Sequence, residues 1–149
     1  MAELMGLLPK LVSIFTLAFI YFWASIPAGI ALGVAPIIVM LTAWASYTAG
    51  VVLVVLLGAP ARAYLLKRFG GKVASNPDNF ILRAWNRFGL VGLALLAPVT
   101  TGAQIGALIG LSLGAPPRKM IGAMALGAAL WGVVITLAVV LGVAAVRVK

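Results

Sequence analysis

Between Lys10 and Arg62 the chain carries no charged residue, and two further gaps run from Arg87 to Arg118 and from Lys119 to Arg147. A water-soluble domain has about a quarter of its residues charged; here the share is 9%, against 64% hydrophobic. A helix that crosses a bilayer needs about 20 apolar residues. The first gap has room for two crossings, or for one crossing and a re-entrant hairpin. The second fits one crossing or a hairpin, and the third one tilted crossing. The expected fold is therefore all-α: an integral membrane protein built as a small helical bundle of about four hydrophobic segments. Two broken or re-entrant helical hairpins, long transmembrane helices and one interfacial amphipathic helix make up that expectation. Residues 1–149 read as a single membrane domain, with a first hydrophobic half at 11–58, a basic loop at 59–87 and a second hydrophobic half at 88–149.

The second half holds the segment Ala97 to Pro117, APVTTGAQIGALIGLSLGAPP. It is uncharged, yet Pro98, Thr100, Thr101 and Gly102 interrupt it near its start. A broken helix at membrane depth is tolerated only where it is buried in protein or lines a wet cavity, and transporters place such breaks at their substrate sites. Glycines then recur at 102, 106, 110 and 114. This is a smooth stripe on which another helix can lie close, so Gly106, Gly110 and Gly114 read as helix packing. In the first half, Leu11 to Ile26 reads as helix and Pro27 and Gly29 as a second break, opposing the first. Val34 to Leu57 follows as a long helix, with Pro36 near its start where proline is tolerated. Met120 to Val146 reads as the last helix.

Gly29 to Pro36 spells GIALGVAP and Gly110 to Pro117 spells GLSLGAPP. Each octapeptide precedes a long helix and follows a proline, the layout of transporters with two inverted halves. The stretch between the halves is polar and basic, with turn signals at Gly70-Gly71 and Ser75-Asn76-Pro77. From Asp78 to Phe88 it becomes amphipathic: Phe80, Ile81, Ala84, Trp85 and Phe88 share one helical face, with Arg83 and Arg87 toward the other. That pattern suits a helix lying in the membrane surface.

Six of the eleven basic residues fall in this loop, so the positive-inside rule puts it in the cytoplasm, in a bacterial-type inner membrane. Four simple crossings divide the positive residues nine against two; two hairpins and two crossings divide them eight against three. The interruption after Pro98 favours the second arrangement, with the C-terminus outside.

There is no cysteine and no histidine, and the only acids are Glu3 and Asp78. Thiol and imidazole chemistry, zinc sites of the usual kind and carboxylate acid–base pairs have no residues to run on. No catalytic residue, metal site or cofactor is expected. The net charge of +9 flanks membrane segments, so it points to the lipid bilayer, with anionic headgroups at the basic loop, rather than to nucleic acid. A homodimer suits so small a bundle.

The run FGLVGLALLAPVTTGAQIGALIGLSLG, followed by a helix with an internal Trp, resembles the small multidrug export family of bacterial membrane proteins. TTGAQIGAL is similar to that family's proline–glycine turn with Thr-Gly-Ala and Gly-Ala-Leu, and SIPAGIALGVAP resembles its isoleucine–proline motif. More remotely, the layout resembles the DedA-type superfamily, whose two re-entrant hairpins serve lipid scramblases and carriers. The family's Glu and Arg ahead of the first Ile-Pro are replaced here by the uncharged Tyr21-Phe22-Trp23-Ala24-Ser25. A proton-coupled exporter needs a titratable group on its path, and this chain offers none.

The resulting expectation is a multi-pass transport protein, not an enzyme. It moves a small or amphipathic substrate, anionic or lipid-like, past two broken helices. Pro27, Gly29, Pro98, Thr100, Thr101, Gly102 and Gln104 are the candidate substrate-binding residues. Thr100 and Thr101 either face a ligand at a helix N-terminus or only cap it; Gln104 either meets the ligand or hydrogen-bonds between helices. Ser46, Tyr47 and Thr48 line a polar path, or bond to the preceding helical turn. The alternatives are a DedA-type lipid scramblase and a non-transport subunit of a larger complex.

Overall fold

A computed structural model describes residues 2–57, 63–64, 67–68 and 80–147; the turns expected at Gly70-Gly71 and Ser75-Asn76-Pro77 lie outside them. Among the described residues there are six long helices: α1 (Ala2–Ile20), α2 (Phe22–Ala31), α3 (Pro36–Leu56), α4 (Phe80–Thr100), α5 (Gly102–Ser112) and α6 (Pro117–Arg147). They form a helical bundle fit for a membrane. α3 and α6 are long and apolar enough to cross one, with mean hydropathy 2.0 and 2.5. Much of α6 turns an apolar surface outward, at Leu126, Leu130, Leu137 and Leu141. In lipid that exposure has no hydrophobic cost.

The two halves are built alike. α1 and α2 form a helical hairpin: Gly29 packs against Ile14, and Lys10 Nζ donates to Leu32 O at 2.9 Å, so the two open ends lie together. α4 and α5 form a second: Gly110 packs against Leu93 and Gly106 against Ala97. Each hairpin then turns into its long helix through the same motif. Gly33 (φ 76°) and Gly114 (φ 89°) adopt the left-handed conformation that glycine takes without a Cβ penalty. Gly33 N bonds to Ile30 O and Val34 N to Gly29 O; in the second half Gly114 N bonds to Leu111 O and Ala115 N to Gly110 O. These are paired Schellman bonds that end α2 and α5. Pro36 and Pro117 then open α3 and α6 in the first helical turn, where a missing N–H costs nothing.

α3 and α6 meet at the centre. Trp44 Nε1 donates to Ala125 O, while Gly132 lies against Met40. The register advances along α3 as it retreats along α6, so the two long helices are antiparallel. At 1.5 Å per residue, the 10 residues of α2 and the 11 of α5 span about 15 Å, and the 21 of α3 about 30 Å. The returning arm of each hairpin, α2 or α5, is thus about half as long as α3.

Three expectations are corrected. The first break falls at Tyr21, not at Pro27, which lies inside α2. There a proline removes only its own bond to Trp23 O, in a helix barely past the donors that are unpaired at any N-terminus. The second break falls at Thr101, and Pro98 lies inside α4. Pro98 cannot donate to Ala94 O; that carbonyl is instead covered by α6, where Gly127 comes so close that a Cβ would collide with it. Finally, α1 starts at Ala2 and runs through Pro9 rather than beginning at Leu11. The stretch from Phe80 to Phe88 is helical and forms a unit of α4: Gly89 (φ 57°, ψ −138°) kinks the helix and separates Phe80–Phe88 from the hairpin arm.

Candidate functional site at the hairpin tips

The two hairpins point at each other and meet tip to tip. Gln104, in the first turn of α5, donates from Nε2 to Phe19 O at 2.8 Å. Gly102 faces Ile20 O, with an ideal Cβ 3.6 Å from it. Phe19 and Ile20 are the last residues of α1, and a helix end leaves its final carbonyls without helical donors. The second hairpin thus supplies to the first what its own chain withholds. The partial negative end of α1 faces the partial positive end of α5, a favourable dipole pairing. α2 lies against α4 in the reciprocal arrangement.

Local conformation puts these groups there. Gly102 has φ 75°, which allows the tight reversal from α4 into α5. Thr100 sits in the last turn of α4 and returns its hydroxyl to Leu96 O at 2.8 Å, so it is spent within its own helix. Thr101 is the N-cap residue of α5 but makes no capping bond. Its Oγ1 is buried without a hydrogen-bond partner, beside Gly106. Sequence reasoning brought Thr101, Gly102 and Gln104 together, and the structure has all three at one tip. Pro98 is buried one turn earlier, within α4. Pro27 and Gly29 stand away from the opposing tip, along α2, with Gly29 packed on Ile14 and Val39.

The glycine stripe divides in two. Gly106 and Gly110 are buried against Ala97, Met124, Leu93 and Met120. Gly102 and Gly114 have positive φ and serve the tip and the turn.

Tyr21, Trp23 and Gly50 of the junction carry no sequence signal of their own. Tyr21 fills the first break without proline or glycine and is exposed, as is Trp23 beside it. Gly50 of α3 forms the wall behind Gln104: a Cβ there would come 3.0 Å from Nε2. Tyr47 is fully buried, with its ring edge-on to Phe22 at 5.3 Å and its hydroxyl unpartnered. Ser46 donates to Phe15 O at 2.6 Å and ties α3 to α1, whereas Thr48 bonds back to Trp44 O. Only Tyr47 of that polar trio keeps a free hydroxyl inside the bundle.

No group of metal-ligating side chains occurs among the described residues. The junction offers one amide, hydroxyls and helix-end dipoles, which bind by hydrogen bonding and charge complementarity.

Comparison with known proteins agrees with this architecture. The pattern of the family described as "putative small multi-drug export protein" matches residues 23–134, which contain all but the first residue of α2, the whole of α3, α4 and α5, both turns and the first part of α6, and none of α1. No curated protein and no solved structure matches the chain. With more than half of its length matched, the chain belongs to the small multi-drug export protein family.

Proposed function

We propose that this member of the small multi-drug export family is an inverted-repeat transport protein whose substrate passes at the junction of the two hairpin tips. The observation that carries this reading is the bond from Gln104 Nε2 to Phe19 O, which joins one tip to the other. On this reading the hairpins are re-entrant, and returning arms of about 15 Å would bring that bond near the middle of a bilayer whose hydrocarbon core is about 30 Å thick. Broken helices meeting at the midplane are the recurring substrate sites of secondary transporters. A substrate that enters the junction exchanges hydrogen bonds with Gln104, Thr101 and the end of α1. Small polar or anionic groups on an otherwise apolar molecule suit it, because the positive end of α5 faces the gap and the surroundings are apolar.

In this arrangement the basic loop shares one face of the membrane with Arg118 and Lys119, and Lys10 shares the other with Arg147 and Lys149. The positive-inside rule then sets the loop in the cytoplasm and both termini outside. The chain's only acidic side chains are Glu3 and Asp78, and neither belongs to the long apolar helices α3 and α6 or to the tip junction, so passive or exchange transport fits better than proton-driven export.

Lipid scrambling is a second reading, favoured by Tyr21. This residue is 58% exposed at the tip, where a phenol on a lipid-facing surface gives a crossing headgroup a hydrogen-bonding step. The test is reconstitution of the purified protein in liposomes, measuring labelled phospholipid flip and amphipathic-anion efflux for wild type, Thr101→Val and Gln104→Leu. Transport that changes in both variants supports the tip junction as the path. A folded wild type inactive in both assays, or variants indistinguishable from it, overturns the reading.

A further inference from the structure

The kink of α4 makes a second site, remote from the tips. Gly89 turns the chain so that Phe80–Phe88 is no longer collinear with the hairpin arm. The resulting concave corner encloses about 500 Å³ and is lined by Arg83, Arg87, Phe88, Val91, Leu95 and Leu96. That volume falls within the roughly 300–1,000 Å³ of small-molecule sites. Its chemistry is divided by position. Arg83 and Arg87 lie one helical turn apart before the kink, at the loop end. Val91 and Leu95 lie one turn apart after it, along the apolar hairpin arm. The Arg87 guanidinium lies 5.6 Å from the centre of the Phe88 ring, within cation–π range. Both arginines are exposed, as are Phe88, Val91 and Leu95.

We propose that this corner binds one anionic phospholipid, its phosphate between Arg83 and Arg87 and an acyl chain along Val91 and Leu95. Charge complementarity selects the occupant. A guanidinium pair matches phosphate oxygens in planar, bidentate geometry, and a wholly apolar lining beneath it has no group to satisfy a polar solute. A soluble anion would use the arginines and leave the apolar channel empty; a neutral lipid would fill the channel and leave the arginines unused. Only an amphiphile with an anionic head uses both. The site does not depend on the transport reading.

Native mass spectrometry of the purified protein tests this, in mild detergent with equimolar phosphatidylglycerol and phosphatidylcholine of the same acyl chains. Wild type is expected to retain one phosphatidylglycerol in preference to phosphatidylcholine. Arg83→Gln/Arg87→Gln should lower that retention about tenfold or more, given the attraction of each arginine for an anionic headgroup. Val91→Trp, which blocks the channel without altering charge, should also lower it. Lys67→Gln/Arg68→Gln, which removes the same charge from residues that do not line the corner, should leave it intact. The proposal is overturned if wild type holds both lipids equally, if the two double variants lose phosphatidylglycerol alike, or if Val91→Trp binds as wild type does.

Discussion

The indole N–H of Trp44 donates to the carbonyl of Ala125 at 2.9 Å, and these residues are 81 positions apart. Gly29 and Gly110, which open the two matching octapeptides, stand at the same separation. The bond therefore joins equivalent positions of the two halves and lies close to the axis that relates them. Around it the halves exchange partners: Phe22 of α2 reaches Gly132 of α6, and Ala103 of α5 reaches Gly50 of α3. Since α3 and α6 are antiparallel, the halves have opposite directions in the bundle. Each hairpin is thus held by the long helix of the other half as well as its own. That is why the tips can meet although neither spans the bundle.

Gly127→Ala should destabilise the fold more than any other single glycine-to-alanine change in α6. The added Cβ meets the backbone of Ala94, which cannot yield as a flexible side chain can. We expect a loss of about 1–3 kcal/mol, the usual cost of overpacking. Gly122→Ala, with nothing within 4 Å, should be neutral or slightly stabilising. Thermal or SDS-titrated loss of helical circular dichroism reads both, and equal midpoints for the pair would contradict the close α4–α6 approach.

Removal of the bond between the tips should cost stability and loosen the junction together. Gln104→Leu leaves the half-buried Phe19 O without this donor, at about 0.6–1 kcal/mol, the range of interhelical hydrogen bonds in membranes. Gly50→Ala should act in the same direction without touching either partner, because its Cβ would crowd Gln104 Nε2. Hydrogen exchange at the start of α5 should rise in both variants. Exchange that rises in neither would mean the tips are held by something other than this bond.

Much of this architecture is legible in the residues. The charge gaps announce α3 and α6, Pro36 and Pro117 mark their starts, and the repeated octapeptides encode both Schellman turns. The hairpin tips are less legible. Tyr21 is neither proline nor glycine, and where α1 ends the donor to its Phe19 carbonyl is Gln104, 85 positions on from Phe19. No local signal encodes such a partner. Pro27 and Pro98 mislead for the opposite reason. Each removes a single helical bond, and in the second case the freed Ala94 carbonyl is covered by a glycine from another helix. Proline marks where a helix loses a bond, and tertiary packing decides whether it ends.

Thr101→Val separates function from folding. The Thr101 hydroxyl is buried with no partner, so a valine of nearly the same shape removes an uncompensated polar group. Stability should hold or rise by up to about 1 kcal/mol. In the transport reading that hydroxyl is free because it serves the substrate, so flux should fall while the unfolding midpoint does not. A variant that loses stability and flux in parallel would assign the residue a structural role instead.

Single cysteines decide the direction of the two halves, and the absence of native cysteine leaves no background. Leu32 caps α2 beside Lys10, at the mouth of the first hairpin, and Leu113 caps α5 at the mouth of the second. Both side chains are exposed. In an inverted repeat these equivalent residues lie on opposite faces of the membrane, Leu113 with the basic loop and Leu32 away from it. An impermeant maleimide added to intact cells should label Leu32→Cys and spare Leu113→Cys, and the pattern should reverse in inside-out vesicles. Arg118→Cys should follow Leu113→Cys, since one short turn joins them. Labelling of Leu32→Cys and Leu113→Cys from the same side would mean that at least one hairpin crosses the bilayer, and the meeting of two half-depth tips at its centre would have to be given up.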